Sequence, residues 1–209
     1  MIKNNKSKMI LTSFIILLPL AAGLLLWNQL PDPMPTHWGA NGEIDGWSSK
    51  TFTVFALPAF MLGIHWLAMF ATSLDPKNKN ITGKPLQLIF WICPVISVLT
   101  FSMIYVAAMG VEVNIDLLIS PMLGLLFIIV GNYLPKCRHN YTLGIKIPWT
   151  LHDEANWNAT HRMAGPVWVA GGVLILISVF VPVLMLVAIA LMIIIPTVYS
   201  YIYYKKHQS

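Results

Sequence analysis

The chain has 209 residues, of which 57% are hydrophobic and only 10% charged, and its net charge is +5. Soluble domains carry about 25% charged residues, and a chain this apolar would expose large aggregating patches in water. A soluble globular class is therefore excluded, and an all-α polytopic membrane protein is expected. In that class Lys and Arg report which loops stay in the cytoplasm, so the positive charge points to no nucleic-acid partner.

Charge-free intervals define the spans. Residues 9–31, 51–74, 85–111 and 117–135 lie between charged residues, and each is long enough, since a spanning helix needs about 20 apolar residues. Residues 163–204 form a fifth interval of 42 residues. As one helix it would reach roughly 63 Å, about twice the hydrocarbon thickness. It must turn back once, and Val181–Pro182 is the best-placed break. Six transmembrane helices result. The first run continues through Leu24–Leu25–Leu26–Trp27 past its small residues, so it reads as a retained anchor and not as a cleaved signal. With six spans, Lys3, Lys6, Lys8, Lys77, Lys79, Lys84, Lys136, Arg138, Lys146, Arg162, Lys205 and Lys206 share one side and Lys50 is alone on the other. The positive-inside bias puts that first side, with both termini, in the cytoplasm. The chain divides into 1–50, a span plus an outer loop; 51–116, spans two and three; and 117–209, the last three spans with the 131–165 loop.

The outer loop, 28–50, is dense in turn signals. Pro31, Pro33 and Pro35 favour extended backbone, and Asn41–Gly42 and Asp45–Gly46 are turn pairs. His37, Trp38 and Trp47 add aromatic surface suited to the bilayer or to an apolar ligand. His37, Glu43 and Asp45 lack the spacing of a metal site.

The inner loop, 131–165, is the longest polar stretch. Pro135 stops the fourth span, Ile147 before Pro148 is pushed from helix, and Gly144 permits unusual backbone. Thr150 is expected to cap a short helix with Asp153 and Glu154 in its first turn. Trp149 and Trp157 would flank that helix at the interface. His139, His152 and His161 with Asp153 and Glu154 form a pool of metal-ligand types, but without zinc-site spacing, so no metal or other cofactor is expected. His161–Arg162 sits where the loop re-enters the membrane, where snorkelling to lipid phosphate is the plain reading. Arg162 should otherwise pair inside the protein with Asp153, Glu154 or carbonyls near Pro135 or Pro148.

Two patterns carry a resemblance. Leu30–Lys50 reads L-P-x-x-x-P-x-H-W-x-x-x-G-x-x-D-x-x-x-S-K, and Gly131–Gly165 reads G-N-Y-x-P-K-x-x-x-N-x-x-x-G-I-K-x-P-W-T-L…W-x-x-T-H-R-x-A-G. The second is long and specific. The chain resembles the SdpI family of bacterial immunity proteins over nearly its whole length, with the first pattern similar to an N-terminal domain of unknown function often joined to it. The resemblance implies a six-helix plasma-membrane protein giving immunity to a secreted, membrane-active toxic peptide. It also implies signalling by recruitment of a transcriptional repressor to the membrane, and no enzyme activity. By match to the patterns, the residues carried over are His37, Gly42, Asp45 and Lys50 in the outer loop. In the inner loop they are Asn132, Asn140, Gly144, Pro148, Trp149, Thr150, Trp157, Thr160, His161 and Arg162. Lys146 stands where relatives often have Arg, which removes a bidentate fork.

Two other classes stay open. A small-molecule or peptide transporter would need polar groups near the bilayer midplane, for which His65 and Gln87 are the nearest candidates. A membrane-embedded hydrolase would use His139, His152, Asp153, Glu154 and His161.

Overall fold

A computed structural model describes residues 5–39 and 42–207. Asn41 and Lys3, used above for a turn and for charge counting, lie outside the described residues. Among the described residues, six helices are long and apolar enough to cross a membrane. They are α1 (Lys6–Leu25), α2 (Leu57–Leu74, entered through a π-turn at Phe52–Ala56), α3 (Gly83–Ala108), α4 (Ile115–Tyr133), α6 (Glu154–Ile177) and α7 (Val183–His207). The short α5 is Pro148–His152. The chain forms two compact units, one of residues 1–73 and 87–115 and one of 74–86 and 116–209.

Three expectations are corrected. First, α1 ends at Leu25 instead of continuing to residue 31, and residues 26–30 form hydrogen-bonded turns. Second, the outer loop, read only as extended backbone and turn pairs, contains a strand ladder. Strands β1 (Met34–Trp38) and β2 (Ile44–Ser48) pair antiparallel, with Pro35 opposite Trp47. Third, the fifth span starts at Glu154, not at 163. Its mean hydropathy is 1.3 against 1.9–2.5 for the other five, because its first turns carry polar residues that pack into the protein. The expected reversal holds: α6 ends at Ile177, the chain turns through Phe180–Val181–Pro182, and α7 begins at Val183.

In the first unit the hairpin is seated on a core of Leu30, Met34, Val54, Phe101, Ile104 and Tyr105. The Tyr105 hydroxyl donates to the Pro19 carbonyl (2.8 Å) and Ser97 donates to the Ile16 carbonyl (3.0 Å), tying α3 to α1.

The second unit closes on glycines. A Cβ at Gly131 would lie 2.7 Å from the Val169 nitrogen and 2.9 Å from the Gly165 oxygen. One at Gly172 would lie 2.7 Å from the Gly124 oxygen and 2.8 Å from the Ile128 nitrogen. These obstacles are backbone, so α4 and α6 approach as only small residues allow. Between α6 and α7, the Trp168 indole donates to the Met192 carbonyl (3.0 Å), beside the buried cluster Ile175, Ala188 and Met192. Gly131→Leu is expected to force the two helices apart, an overpacking loss of about 1–3 kcal/mol or more. Thermal unfolding of the purified chain in detergent reads this out, and an unchanged midpoint would contradict the close approach.

Candidate functional site

The inner loop is built around one buried tryptophan. Asp153 has extended backbone and its carboxylate accepts the Ala155 N–H (2.8 Å), so it is the N-cap of α6. This corrects the assignment of capping to Thr150. Thr150 is the third residue of α5; its hydroxyl donates to the Ile145 and Ile147 carbonyls (2.7 and 3.0 Å) and accepts the Ile147 N–H (3.2 Å). One side chain thereby closes the turn that Pro148 opens.

From that cap, α6 carries Asn156, Trp157, Thr160 and His161 inward, each 1% exposed or less. Trp157 is therefore a core residue, not the interfacial anchor expected of it. Its indole donates to the Cys137 carbonyl (2.8 Å). The His161 ring stacks on it at 4.0 Å and the His139 ring meets it edge-on at 5.0 Å. His161 Nδ1–H donates to the Trp157 carbonyl (2.8 Å), and Nε2 accepts the Ile145 N–H (2.9 Å). These partners fix the neutral ring in one tautomer. His161 is thus a lock between α6 and the loop, not a snorkelling group. Gly144 makes room for it, with φ +126° and a missing Cβ that would strike His161 Nε2 and the Trp157 ring.

Asn140 holds the other side of the loop. Its amide donates to the Arg138 and Leu143 carbonyls and its oxygen accepts the Thr142 and Leu143 N–H groups, at 2.6–2.9 Å. His139 Nε2–H donates to the Leu151 carbonyl (3.1 Å), and Nδ1 accepts from the Lys77 ammonium. On α6, the Asn156 oxygen accepts both the Thr160 and Ser200 hydroxyls (2.9 and 2.8 Å), while its amide donates to the Ser200 carbonyl (3.0 Å), joining α6 to α7. Trp149 lies against Tyr201 and Tyr204, 5.1 and 6.3 Å away.

The proposed ligand pool is dispersed. His139 and His161 flank Trp157, whereas His152 is exposed and donates to the Pro148 carbonyl (2.7 Å). Among the described residues no group of three or more His, Cys, Asp or Glu is placed to hold a metal. Arg162 is exposed and makes no hydrogen bond or ion pair within the chain among the described residues, which corrects the expected pairing with Asp153, Glu154 or nearby carbonyls and leaves the alternative of contact with lipid phosphate. Asn132, next to the last residue of α4, is exposed.

The sequence reading missed the 75–82 connector between α2 and α3. Asp75, 5% exposed, accepts the Tyr141 N–H (2.8 Å), the Thr142 hydroxyl (2.7 Å) and the Lys77 N–H (2.7 Å). The Asn80 amide donates to the His139 carbonyl (2.7 Å). An acid opening a short connector next to Pro76 is the only signal the sequence offered. Burial acts to raise the Asp75 pKa, but the bonds from Thr142, Lys77 and Tyr141 outweigh it and hold the carboxyl below its ordinary value. A depressed carboxyl stabilises the fold above its unfolded-state pKa, and that stability is lost as pH falls through the lower folded one. Asp75→Asn should lower the unfolding midpoint at neutral pH, by about 1–3 kcal/mol of lost pairing, and should flatten the loss of stability on acidification below pH 4. Parallel acid profiles for variant and parent would refute this role.

At the outer hairpin, His37 Nδ1 meets Asp45 Oδ1 at 2.5 Å, both exposed. Gly42 has φ +78°. Lys50 is an anchor: its ammonium donates to the Trp27 and Leu30 carbonyls (3.1 and 2.8 Å) and lies 4.9 Å from the Trp27 ring centre, and its N–H donates to Asp32 (3.1 Å). Within the spans, His65 is fully buried against Thr12 (3.0 Å), with no partner for Nδ1 among the described residues. Gln87 is half-buried.

Six apolar spans, a folded hairpin and a hydrogen-bonded polar loop define a multi-pass membrane protein whose polar segments are structured. Residues 136–200 match the SdpI/YfhL protein family, and residues 14–62 match a domain of unknown function, DUF1648. The chain is 30% identical to the Immunity protein SdpI of Bacillus subtilis (strain 168), over 95% of this chain and 97% of that one. It belongs to the SdpI family. No solved structure matches it.

Proposed function

We propose that this chain is an immunity protein of the plasma membrane that protects its cell from a secreted, membrane-active toxic peptide. The observation that carries the reading is the full-length similarity to an immunity protein. Both termini and the 131–165 loop lie in the cytoplasm, supported by twelve of thirteen Lys and Arg falling on that side of six spans. The hairpin with His37, Gly42, Asp45 and Lys50 then faces outward and meets the peptide first. The inner loop, built on Asn140, Gly144, Thr150, Trp157, Thr160 and His161, transmits the encounter. Exposed Arg162, Pro148 and Asn132 with half-buried Trp149 form the surface that lipid phosphate or a recruited repressor would touch.

The orientation is tested in a chain lacking Cys93 and Cys137. Cys137 is a poor reporter on either side, because burial pushes its thiol up to about 11 and leaves little reactive thiolate. Asn41→Cys should react with an impermeant thiol reagent in intact cells and Lys146→Cys only after lysis; the reverse pattern would invert the topology. For function, His37→Ala and Asp45→Ala should weaken survival against the peptide at normal membrane levels. Protection equal to the parent across a dose series would reduce the hairpin to a connector.

A further inference from the structure

We propose that the polar end of α4 binds the headgroup phosphate of an anionic phospholipid, held between the Lys84 and Lys136 ammoniums beside the Tyr133 ring. The site uses none of the residues given above to the peptide or to a repressor. It holds whichever side of the membrane this end of α4 faces, so it rests on neither immunity nor orientation.

Local structure brings the two lysines together. Tyr133 is the last residue of α4, and Leu134–Lys136 follow as one tight turn closed by the Cys137 N–H on the Leu134 carbonyl (3.0 Å). That turn folds Lys136 back, with its ammonium 5.0 Å from the centre of the Tyr133 ring. Gly83 (φ +62°) opens α3, and the ammonium of the next residue, Lys84, lies 5.8 Å from the centre of the same ring. Both lysines are exposed, and neither has an ion pair or hydrogen bond among the described residues. The carboxylates of this unit are placed elsewhere. Asp75 is buried under its own bonds, Asp153 caps α6, Glu154 opens α6, and Asp116 is in the first turn of α4, at its opposite end. Two ammoniums beside one ring repel each other, and an anion between them replaces that repulsion by two attractions.

The surface below the lysines selects a lipid over a free anion. Leu125, Ile129 and Tyr133 are spaced four apart and so share a face of α4. Leu125 is 53% and Ile129 45% exposed, which makes this face an apolar track ending at the two cations. Leu125 lies about 12 Å along the helix from Tyr133, within one leaflet of a hydrocarbon core about 30 Å thick. A phospholipid matches both parts, with its phosphate at Lys84 and Lys136 and an acyl chain along Ile129 and Leu125. Basic sites between the polar ends of spans are suited to anionic headgroups. A choline headgroup would instead bring a third cation to the two ammoniums.

Native mass spectrometry of the delipidated full chain in detergent tests this, with phosphatidylglycerol, phosphatidylcholine and inorganic phosphate as probes. The parent should bind phosphatidylglycerol about tenfold more tightly than Lys84→Gln/Lys136→Gln does, as for loss of one favourable charge interaction. Lys84→Arg/Lys136→Arg should bind like the parent. So should Lys79→Gln/Lys146→Gln, which removes the same charge from exposed positions elsewhere. Phosphatidylcholine should bind parent and Gln variant equally weakly, which also reports that the apolar face is intact in the variant. Millimolar inorganic phosphate should not displace phosphatidylglycerol. Equal phosphatidylglycerol affinity of the parent and the Lys84/Lys136 variant would overturn the site. Equal weakening by the Lys79/Lys146 pair would replace it with diffuse surface charge. Phosphatidylcholine bound as tightly as phosphatidylglycerol, or displacement by inorganic phosphate, would contradict an anionic lipid as the occupant.

Discussion

Trp157→Ala is expected to be the most damaging single change in the inner loop. The side chain is fully buried, and removing a buried Trp typically loses about 3–5 kcal/mol. Three further supports go with it: the bond to the Cys137 carbonyl, the stack against His161 and the edge contact with His139. The Cys137 carbonyl and the two imidazoles are then left around a void. The variant should unfold well below the parent in detergent, and loop 137–147 should become sensitive to protease while α1–α3 stay protected. A midpoint within experimental error of the parent would mean that the loop is held by other contacts. Trp157→Phe should recover part of the packing but not the Cys137 bond, which separates ring burial from the hydrogen bond.

Gly144→Ala is expected to act nearly as strongly with one added methyl. At φ +126° an L side chain is strained, at about 1–3 kcal/mol. The methyl would also strike His161 Nε2 and lie 2.9 Å from Trp157 Cζ2. It would push the ring away from the Ile145 N–H and remove the bond that anchors the loop to α6. Thermal unfolding should show a loss of a few kcal/mol, and protection against the peptide should fall in parallel at equal membrane levels. Normal stability and protection would show that this segment tolerates movement.

The spans were legible wherever charged residues bracket apolar ones, and the reversal at Val181–Pro182 was legible from length alone. The start of α6 was not. Asn156, Thr160 and His161 look like loop residues because they are polar, yet each is buried with hydrogen bonds satisfied inside the protein. Polarity in a membrane chain marks a loop only when the residue faces lipid, and sequence alone does not say which face that is. Strand β1 was hidden by Pro33 and Pro35, which argue against a central strand but not against an edge of a two-stranded ladder. The candidate inner residues were legible through the family pattern, and their spacing gave no hint of a stack centred on Trp157. Asp75 and Lys77 left almost no trace in the sequence, because their partners Tyr141, Thr142 and His139 are more than sixty positions away. Arg162 misled for the opposite reason: its place in the motif invited an internal partner, but its side chain is exposed.

The central claim is that the chain shields a membrane from a secreted peptide. The most direct measurement follows membrane potential in sensitive cells that make this protein, during challenge with peptides purified from cultures of its own host. Cells with the parent chain should hold their potential at doses that collapse it in cells with an empty vector, and cells with Gly144→Ala should lie between. Collapse at the same dose with and without the parent chain, at verified membrane levels and for every host peptide that kills the control, would contradict the account.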